Sequence, residues 1–485
     1  MNIAIVGAGI AGIATAIRLS AQGHQVTVFE ANTYPGGKLS AFEQEGYRFD
    51  AGPSLFTMPH YVEALFRLAG EDPAVYFKYQ RMETACCYAW PDGTRLRAWG
   101  DSARFAAEVT QQLGVPAQKV QQYLRTSQTK HRLAGHIFLE KSLHRIRTWL
   151  SGEVVHSLIR LPFFDIFTSM HRVNERTFGD PRLVQLFDRY ATYNGSDPYQ
   201  APGMLTIIPH FEHNIGVFYP QGGMHAITTA LYSLSLRQGV QYKFQTPVTR
   251  ILHADGRVTG VQTAPHNTHT FDRVVSNMDV FYTYRRLLPD LPAPERILRQ
   301  PKSTSALIFY WGVRRTFPEL DLHNIFFSED YSAEFGALAK GNVADDATVY
   351  VNITSKYTPS DAPPNTENWF VMVNVPSDSG QDWEKLIERV RRQTIRKLSR
   401  ALDCDFASLI ACESILDPRT IESRTSSHAG ALYGYSSNNL MAAFMRHSNF
   451  SGRLKGLYFC GGSVHPGGGI PLCLLSAKIV AEEMT

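Results

Sequence analysis

Residues 2–30 have the sequence NIAIVGAGIAGIATAIRLSAQGHQVTVFE, and this stretch decides the fold of the region around it. Residues 3–6 form a short apolar run typical of a buried parallel strand, and residues 10–21 carry apolar side chains at helical spacing. Residues 25–30 have the pattern of a second strand. The stretch therefore predicts a βαβ unit.

Three glycines separate the first strand from the helix in the spacing G-x-G-x-x-G. Gly7 permits a tight turn, Gly9 lets the backbone approach a pyrophosphate, and Gly12 allows the helix to pack closely on the strand. Free N–H groups at the helix N-terminus attract phosphates. Glu30, at the end of the second strand, can accept hydrogen bonds from ribose hydroxyls. The unit is therefore predicted to bind FAD or NAD rather than NADP.

Two turn-forming loops follow this unit. Residues 34–38 read YPGGK and residues 46–54 read GYRFDAGPS. Such loops can bring the backbone close to a long cofactor, and Lys38 could lie against its phosphate or flavin end. By themselves they are equally compatible with ordinary turns.

The C-terminal end repeats the pattern of strand, glycine loop and helix. Residues 457–460 are strand-like, residues 461–469 read GGSVHPGGG, and a helical run begins at Pro471, a residue suited to a first helical turn. This helix can fold back on the N-terminal sheet and direct its N-terminus at the pyrimidine edge of a flavin. The loop therefore favours FAD. His465 is a candidate acid or base, although a histidine in such a loop more often bonds locally.

Sheet-forming stretches also occur in the middle of the chain. Residues 240–248 and 258–261 are predicted to pair around an Asp255-Gly256 turn, and residues 273–277 form another strand. We therefore expect an α/β fold with a Rossmann-like FAD-binding domain assembled from discontinuous segments, an α+β substrate domain and a helical membrane-facing or lid region. The expected boundaries are 1–80, 215–285 and 416–485 for the FAD-binding segments, 81–214 for the substrate and helical membrane-facing region, and 286–415 for the second substrate segment.

Composition excludes several classes of protein. The net charge is only +4, and no run of Lys and Arg alternates with aromatic residues, which argues against nucleic-acid binding. The six cysteines show no C-x-x-C pairing, so we expect free thiols in a reducing compartment and no metal site. No uninterrupted apolar run is long enough to span a bilayer, so membrane contact is expected to be peripheral.

One segment mixes cations with apolar side chains. Residues 125–172 contain eight Lys/Arg and three Asp/Glu. This mixture suits a surface that lies at a membrane interface, and a helical lid over an apolar cavity explains it equally well. The interspersed apolar residues are Trp149, Leu150, Leu158, Ile159, Phe163, Phe164, Ile166 and Phe167.

The motifs together resemble those of the phytoene desaturase family of carotenoid biosynthesis, within the FAD-dependent amine-oxidase-like superfamily. They are VGAGIAG at 6–12, PGGK at 35–38, FDAGPS at 49–54, YPQGGM at 219–224, SN at 276–277 and GGSVHPGGGIP at 461–471. Two further stretches, LHNIFFS at 322–328 and VYVNITSK at 349–356, look more like the hydroxycarotenoid 3,4-desaturase branch.

The resemblance implies a function and a set of site residues. The family removes hydride and a proton from a long-chain carotenoid, with FAD as hydride acceptor, and a quinone or oxygen is the expected electron acceptor. It implies a cytoplasmic protein associated with the inner face of the cell membrane. Candidate proton acceptors are Asp50, Glu212 and His465. The FAD contacts it implies, together with those derived above, are Gly7, Gly9, Ala11, Gly12, Glu30, Gly37, Lys38, Pro53, Ser54, Val248, Asn277, Gly462, Gly469, Ile470 and Pro471.

Several functions remain open at this point. The leading hypothesis is 3,4-desaturation of a 1-hydroxycarotenoid. Phytoene desaturation is one alternative, and another flavin oxidation of an isoprenoid or an amine is a second. A non-enzymatic prenyl-lipid carrier on the same fold is the alternative from a different class, against which the intact phosphate-loop glycines argue.

Overall fold

A computed structural model describes residues 1–149, 164–438 and 446–484. The strands are β1 (Asn2–Val6), β2 (Gln25–Phe29), β3 (Ala41–Gln44), β4 (Tyr47–Asp50), β5 (Tyr79–Arg81), β6 (Thr84–Ala89), β7 (Arg95–Trp99), β8 (Phe218–Pro220), β9 (Gln241–Lys243), β10 (Val248–Ala254), β11 (Arg257–Thr263), β12 (Asn267–Thr270), β13 (Arg273–Ser276), β14 (Ser305–Val313), β15 (His323–Phe326), β16 (Val349–Asn352), β17 (Glu367–Val375), β18 (Ile410–Leu416) and β19 (Leu457–Phe459).

Helices surround these strands. The α-helices span Ile10–Ala21, His60–Leu68, Pro73–Tyr76, Ser102–Leu113, Ala117–Lys130, His136–Glu140, Ile146–Trp149, Met170–Phe178, Pro181–Asp188, His225–Arg237, Val280–Tyr282, Glu295–Leu298, Tyr331–Ala339, Trp383–Ala401, Phe406–Leu409, Pro418–Thr425 and Ile470–Met484.

A five-stranded parallel sheet carries the predicted nucleotide-binding unit. Its order is β19-β13-β1-β2-β9, and every neighbouring pair is parallel. The N-terminal strand thus lies beside strands from the middle and the C-terminal end of the chain. This arrangement confirms the predicted α/β fold and the strands expected at residues 3–6, 25–30, 273–277 and 457–460.

One predicted strand pairing is wrong. Residues 240–248 do not form the first arm of the hairpin, because residues 241–243 extend the parallel sheet beside β2. The first arm begins only at Val248, and β10 pairs with β11 across the expected turn, where Asp255 and Gly256 both have positive φ. The apolar pattern of residues 240–248 is therefore divided between two sheets.

A seven-stranded mixed sheet forms the second layer. Its order is β18-β14-β17-β16-β15-β6-β7, so residues 84–99 pair with a sheet made mainly from residues 305–416. Every residue of β14 is buried, because β17 and β18 flank it and side chains cover both faces. Trp311 and Trp369, directly opposite each other on β14 and β17, are fully buried and anchor this core.

Two helices on the parallel sheet position the glycine loops. The helix Ile10–Ala21 buries Ile13 and Ile17, and the C-terminal helix Ile470–Met484 contributes Leu474 to the same apolar cluster. Because the two helices pack together, both of their N-termini lie beside one cavity.

The segment expected to face a membrane is only partly described. Of its apolar residues, Leu150, Leu158, Ile159 and Phe163 lie outside the described residues. Phe164 is buried, whereas Trp149 is 42% and Phe167 is 90% exposed. Among the helices within the described ranges, none is both long and apolar enough to cross a membrane. None of the six cysteines, all of which the structure describes, forms a disulfide.

Candidate flavin and substrate site

A cavity of about 1020 Å³ lies between the two large sheets. Its wall includes Val6 and Phe29 at the carboxyl ends of β1 and β2, and Ile308 and Phe370 on the seven-stranded sheet. A crevice outside the carboxyl ends of parallel strands is where doubly wound sheets bind nucleotides. The volume is at the upper end of the usual range for ligand pockets, about 300–1000 Å³.

The glycine loop after β1 is as tight as the sequence predicted. Gly7 has a φ of +98°, and its N–H donates to the Phe29 carbonyl oxygen at 2.8 Å. A Cβ on Gly12 would lie 2.2 Å from the Gly7 carbonyl oxygen, and one on Gly9 would lie 2.7 Å from Asn277 Oδ1. Neither position can hold a side chain without moving the backbone or Asn277, so the loop keeps its N–H groups close to the cavity.

Glu30 lies at the end of β2 and is 6% exposed. Its Oε2 accepts from the Ala8 N–H at 2.7 Å, and its Oε1 accepts from the Asn32 N–H at 2.8 Å. A carboxylate has about four lone-pair positions, so the group retains acceptor capacity toward the cavity that it lines. The carboxylate therefore fixes the turn and can accept from a ribose hydroxyl.

Lys38 joins the second glycine loop to the far side of the cavity. Its Nζ donates to the carbonyl oxygens of Ala431 and Leu432 at 3.3 and 3.1 Å. Burial lowers the pKa of this ammonium group, and the nearby Asp279 carboxylate partly opposes the shift. Gly37 lies so close to the first loop that a Cβ on it would be 3.4 Å from the Gly9 Cα. The loop thus covers the phosphate-binding turn.

Arg446 is a buried cation in the cavity wall that sequence analysis missed. Its Nη1 donates to the Tyr433 carbonyl oxygen at 2.9 Å, and its Nη2 donates to that of Tyr435 at 2.8 Å. Burial lowers the pKa of Arg446 to about 10, so it stays charged at neutral pH. A lone arginine has no local sequence signature, and only the tertiary fold brings it to the C-terminal glycine loop.

The structure brings the predicted FAD contacts together at this cavity. Gly12 is the exception and does not line the cavity, because it packs against the Gly7 carbonyl oxygen behind the turn. An FAD diphosphate and ribose require close approach to backbone at glycines, helix N-termini and a carboxylate that can accept hydrogen bonds, and this cavity has all three. The lining residues are Gly7, Gly9, Ala11, Glu30, Gly37, Lys38, Pro53, Ser54, Val248, Asn277, Gly462, Gly469, Ile470 and Pro471.

Asp50, one of the three candidate proton acceptors, does not belong to the cavity lining. Its carboxylate accepts from the backbone N–H groups of Met224 and His225 at 2.8 and 3.0 Å, and pairs with Arg48 at 2.8 Å. These contacts hold the start of the helix His225–Arg237 against β4. The geometry therefore gives Asp50 a capping role.

Glu212 lines the cavity within a buried ion pair. Its Oε1 accepts from Arg189 Nη2 at 3.3 Å and from the Tyr190 hydroxyl at 2.8 Å, and its Oε2 accepts from the Tyr193 hydroxyl. Burial is the largest single effect on Glu212 and opposes its charge, but the Arg189 guanidinium, His213 and the two tyrosine hydroxyls together outweigh it and lower the pKa. Glu212 is therefore an ionised anchor and a weak base.

His465 also lines the cavity and is 2% exposed. Its backbone N–H donates to the His447 carbonyl oxygen, and its Nε2 lies 2.9 Å from the Lys141 carbonyl oxygen. A carbonyl can only accept, so Nε2 carries the proton and Nδ1 is the one ring atom able to take another. Burial lowers the pKa of His465 to about 4, so the ring is neutral at pH 7 and weakly basic.

Among the residues that the structure describes, no three or more His, Cys, Asp or Glu side chains come together as metal ligands.

Comparison with known proteins matches the site to a family. The family model for flavin-containing amine oxidoreductases covers residues 10–485. The chain is 50% identical over 479 residues to the 1-hydroxycarotenoid 3,4-desaturase of Flavobacterium sp. (strain P99-3), covering 99% of this chain and 98% of that protein. It is 31% identical to the 4,4'-diapolycopene oxygenase of Methylomonas sp., covering 100% of this chain and 98% of that protein.

A solved structure shares the fold. An oxidoreductase from Methanosarcina mazei superposes with a TM-score of 0.65 at 16% identity, covering 99% of this chain and all of that one. The family match over nearly the whole chain, together with the cavity, accounts for FAD as the cofactor. The chain therefore belongs to the flavin-containing amine oxidoreductase family, and within it to the group that contains the carotenoid desaturases.

Proposed function

We propose that this protein is an FAD-dependent carotenoid desaturase that introduces the 3,4 double bond into a 1-hydroxycarotenoid. The observation that supports this most strongly is one continuous cavity that begins at a phosphate-binding turn and continues along an apolar sheet face. The similarity to a 1-hydroxycarotenoid 3,4-desaturase along the whole chain points to the same substrate class.

FAD bound in the cavity supplies the hydride acceptor that the side chains lack. The groups that would hold it are the turn at Gly7 and Gly9, the Glu30 carboxylate and the N-terminus of the helix that begins at Ile470. The substrate loses one C–H bond as hydride and the neighbouring C–H as a proton, and a carbon–carbon double bond forms. Because the cationic polyene left after hydride loss is acidic, Glu212, the Nδ1 atom of His465 or a water molecule would be a sufficient proton acceptor.

The substrate part of the cavity is lined mainly by apolar side chains. They come from the segment after Pro53 and from the seven-stranded sheet, and include Leu55, Ile308, Ile325, Phe370 and Met372. An apolar wall of this kind binds a polyene because it removes the apolar surface of the polyene from water. It also holds the polyene in one position beside the glycine loops.

We propose that the protein takes its substrate from the inner face of the cell membrane. Phe138, Leu139 and Leu143 line the cavity, and the exposed side chains of Ile146 and Trp149 follow them directly in the chain. An exposed apolar surface that adjoins a cavity wall is suited to passing a lipid from a bilayer into the protein.

The electron acceptor that we propose is a membrane quinone or oxygen. A protein that lies on the membrane surface has access to both. Turnover in anaerobic vesicles, measured with and without an added quinone, shows which of the two acceptors is used. Turnover in the absence of both quinone and oxygen would contradict this proposal.

Expression in a host that accumulates 1-hydroxylated carotenes tests the function. We expect a pigment whose absorption is shifted to the red and whose new double bond lies at the 3,4 position by NMR. A central new double bond would indicate phytoene desaturation instead. An unchanged pigment together with a purified protein that binds FAD would favour an amine or another isoprenoid, and a protein that fails to bind FAD would favour a lipid carrier.

A further inference from the structure

The two stretches that look most like the hydroxycarotenoid branch lie side by side in the fold. Residues 322–328 contain β15 and residues 349–356 contain β16, and these strands pair with His323 opposite Asn352. His323 and Tyr350 both line the cavity. The two stretches that resemble the hydroxycarotenoid branch, residues 322–328 and 349–356, therefore form one patch of the cavity wall.

Hydrogen bonds fix the orientation of His323 in this patch. The Tyr350 hydroxyl lies 2.7 Å from His323 Nδ1 and 2.8 Å from Ser54 Oγ. Asn352 Nδ2, which donates to the Leu322 carbonyl oxygen at 3.0 Å, lies 3.2 Å from the same Nδ1. An amide nitrogen can only donate, so Nδ1 accepts and the proton of the neutral imidazole is on Nε2.

The Nε2–H group of His323 has no hydrogen-bond partner among the described residues. The side chain is 2% exposed, and burial lowers its pKa to about 4, so the ring is neutral at pH 7. Buried donors are almost always paired in folded proteins. An unpaired donor in a cavity wall indicates that a ligand oxygen supplies its partner.

A second spare donor supports this interpretation. Arg189 lines the same cavity, and its Nε also lacks a partner within the described chain. Its terminal nitrogens are used, because Nη2 donates to the Tyr88 hydroxyl at 2.7 Å and Nη1 donates to the Tyr193 hydroxyl at 3.0 Å. The Glu212 carboxylate balances its charge. The substrate part of the cavity, which is lined mainly by apolar side chains, therefore contains a polar patch with unused donor capacity.

The position of the patch fits the chemistry of the substrate class. Ser54 belongs to the segment predicted to contact FAD, and it is linked through Tyr350 to His323. In a 1-hydroxycarotenoid only C2 separates the hydroxyl-bearing carbon from the C3–C4 bond. A group that binds this hydroxyl must therefore lie close to the flavin, and the link from His323 through Tyr350 to Ser54 is consistent with that position.

We propose that His323 is a specificity-determining residue whose Nε2–H group donates a hydrogen bond to the C1 hydroxyl of the substrate. This inference rests on the proposed function. Tyr350 and Asn352 act as positioning residues, because they hold Nδ1 as the acceptor and leave Nε2 as the donor.

Two variants separate this role from a structural one. His323→Gln can place an amide donor near the Nε2 position, whereas His323→Asn keeps only a group near the Nδ1 position. The probes are a 1-hydroxylated carotene and the same polyene without the hydroxyl. Their dissociation constants are measured by quenching of tryptophan fluorescence in holoprotein, alongside kcat/KM for each.

We expect the unmodified protein to bind the hydroxylated carotene about tenfold more tightly, the effect of one neutral hydrogen bond. His323→Asn should remove this preference and leave binding of the other carotene unchanged, and His323→Gln should retain it. Equal affinity of the unmodified protein for the two carotenes would overturn the inference without any variant. An equal loss of affinity for both carotenes in His323→Asn would also overturn it. If the unmodified protein desaturates neither carotene, the proposed function fails as well.

Discussion

Gly12 shows at the residue scale how an absent side chain determines the site. A Cβ there would lie 2.2 Å from the Gly7 carbonyl oxygen, so Gly12→Ala must push the helix away from the turn. We expect FAD affinity to fall at least about tenfold and the free energy of unfolding to fall by about 1–3 kcal/mol. Titration of apoprotein with FAD and urea unfolding measure the two effects.

Gly336→Ala is the matched control for that substitution. Gly336 lies in the helix Tyr331–Ala339, and a Cβ added there meets nothing within 4 Å. Alanine is favoured over glycine in a helix by about 0.8–1 kcal/mol, so this variant should be equally or more stable and bind FAD normally. Normal FAD binding by Gly12→Ala would contradict the account of the turn.

Asp50 offers a second test at the residue scale. Its carboxylate accepts two backbone hydrogen bonds at the start of the helix His225–Arg237. Asp50→Asn keeps one accepting oxygen, but its amide nitrogen cannot accept, so one backbone N–H and Arg48 lose their partner. The free energy of unfolding should therefore fall by about 1–3 kcal/mol. Turnover per bound FAD should change less than about threefold, because the Asp50 carboxylate lies outside the cavity lining and stabilises no transition state there. A hundredfold loss of turnover would instead identify Asp50 as the proton acceptor.

Sequence analysis found those site residues whose role follows from their spacing within one short stretch of the chain. Gly7, Gly9 and Glu30 follow from one turn between two strands. Arg189 and Arg446 carry no such signal, because partners distant in the chain determine their burial and their contacts. His323 and Tyr350 did lie in stretches noted for their resemblance, but only the pairing of β15 with β16 brings them together.

At the element scale, a histidine couples two neighbouring helices to pH. His171 in the helix Met170–Phe178 contacts Asp188, the last residue of Pro181–Asp188, at 2.7 Å. The hydrogen bond to Asp188 raises the pKa of His171 above its ordinary value near 6.5. Burial raises the pKa of Asp188, but Asn174 Nδ2 donates to its other oxygen at 2.8 Å, and we take the carboxylate as ionised.

A histidine whose pKa is higher in the folded than in the unfolded state stabilises the fold. This contribution is complete at pH values below the pKa of the unfolded state, and it disappears as the pH rises through the pKa of the folded state. His171→Gln should therefore be less stable than the unmodified protein by roughly 1 kcal/mol at pH 6, with the difference shrinking by pH 8.5. Urea unfolding across this range measures it. A difference that grew toward pH 8.5 would contradict the ion pair.

The segment around residues 146–167 carries the membrane proposal. Ile146 is 77% and Phe167 is 90% exposed. Because burying one such side chain contributes about 1.5–3 kcal/mol, replacing both with Glu should weaken binding to anionic vesicles at least about tenfold. Vesicle co-sedimentation is the measurement. Val75→Glu, at another position that is 63% exposed, should leave binding unchanged. Equal binding by all three proteins would contradict a membrane role for the segment.

Strands and helices whose apolar pattern lies within one sheet could be predicted from the sequence. An apolar run that is shared between two sheets could not. The first strand, helix and second strand form nearly where expected, because their apolar runs lie entirely within one sheet. Residues 240–248 were assigned to one strand, since an apolar run does not show that its two ends enter different sheets.

At the scale of the whole molecule, the chain crosses repeatedly between its two main layers. Strands from residues 2–29, 241–276 and 457–459 make the parallel sheet, and strands from residues 84–99 and 305–416 make the mixed sheet. The division into segments at residues 80, 214, 285 and 415 stays a prediction. The arrangement places the cavity, and hence both the nucleotide loops and the apolar wall, between the layers.

We propose that the protein desaturates a hydroxylated carotenoid near its chain end, with the substrate bound in this cavity. The most direct measurement is to mix purified holoprotein with one equivalent of a 1-hydroxycarotenoid, follow its absorption and determine the product by NMR. We predict a red shift of the polyene absorption and one new double bond between C3 and C4, with the C1 hydroxyl retained. An unchanged polyene in the presence of fully FAD-loaded protein and an electron acceptor would contradict the account.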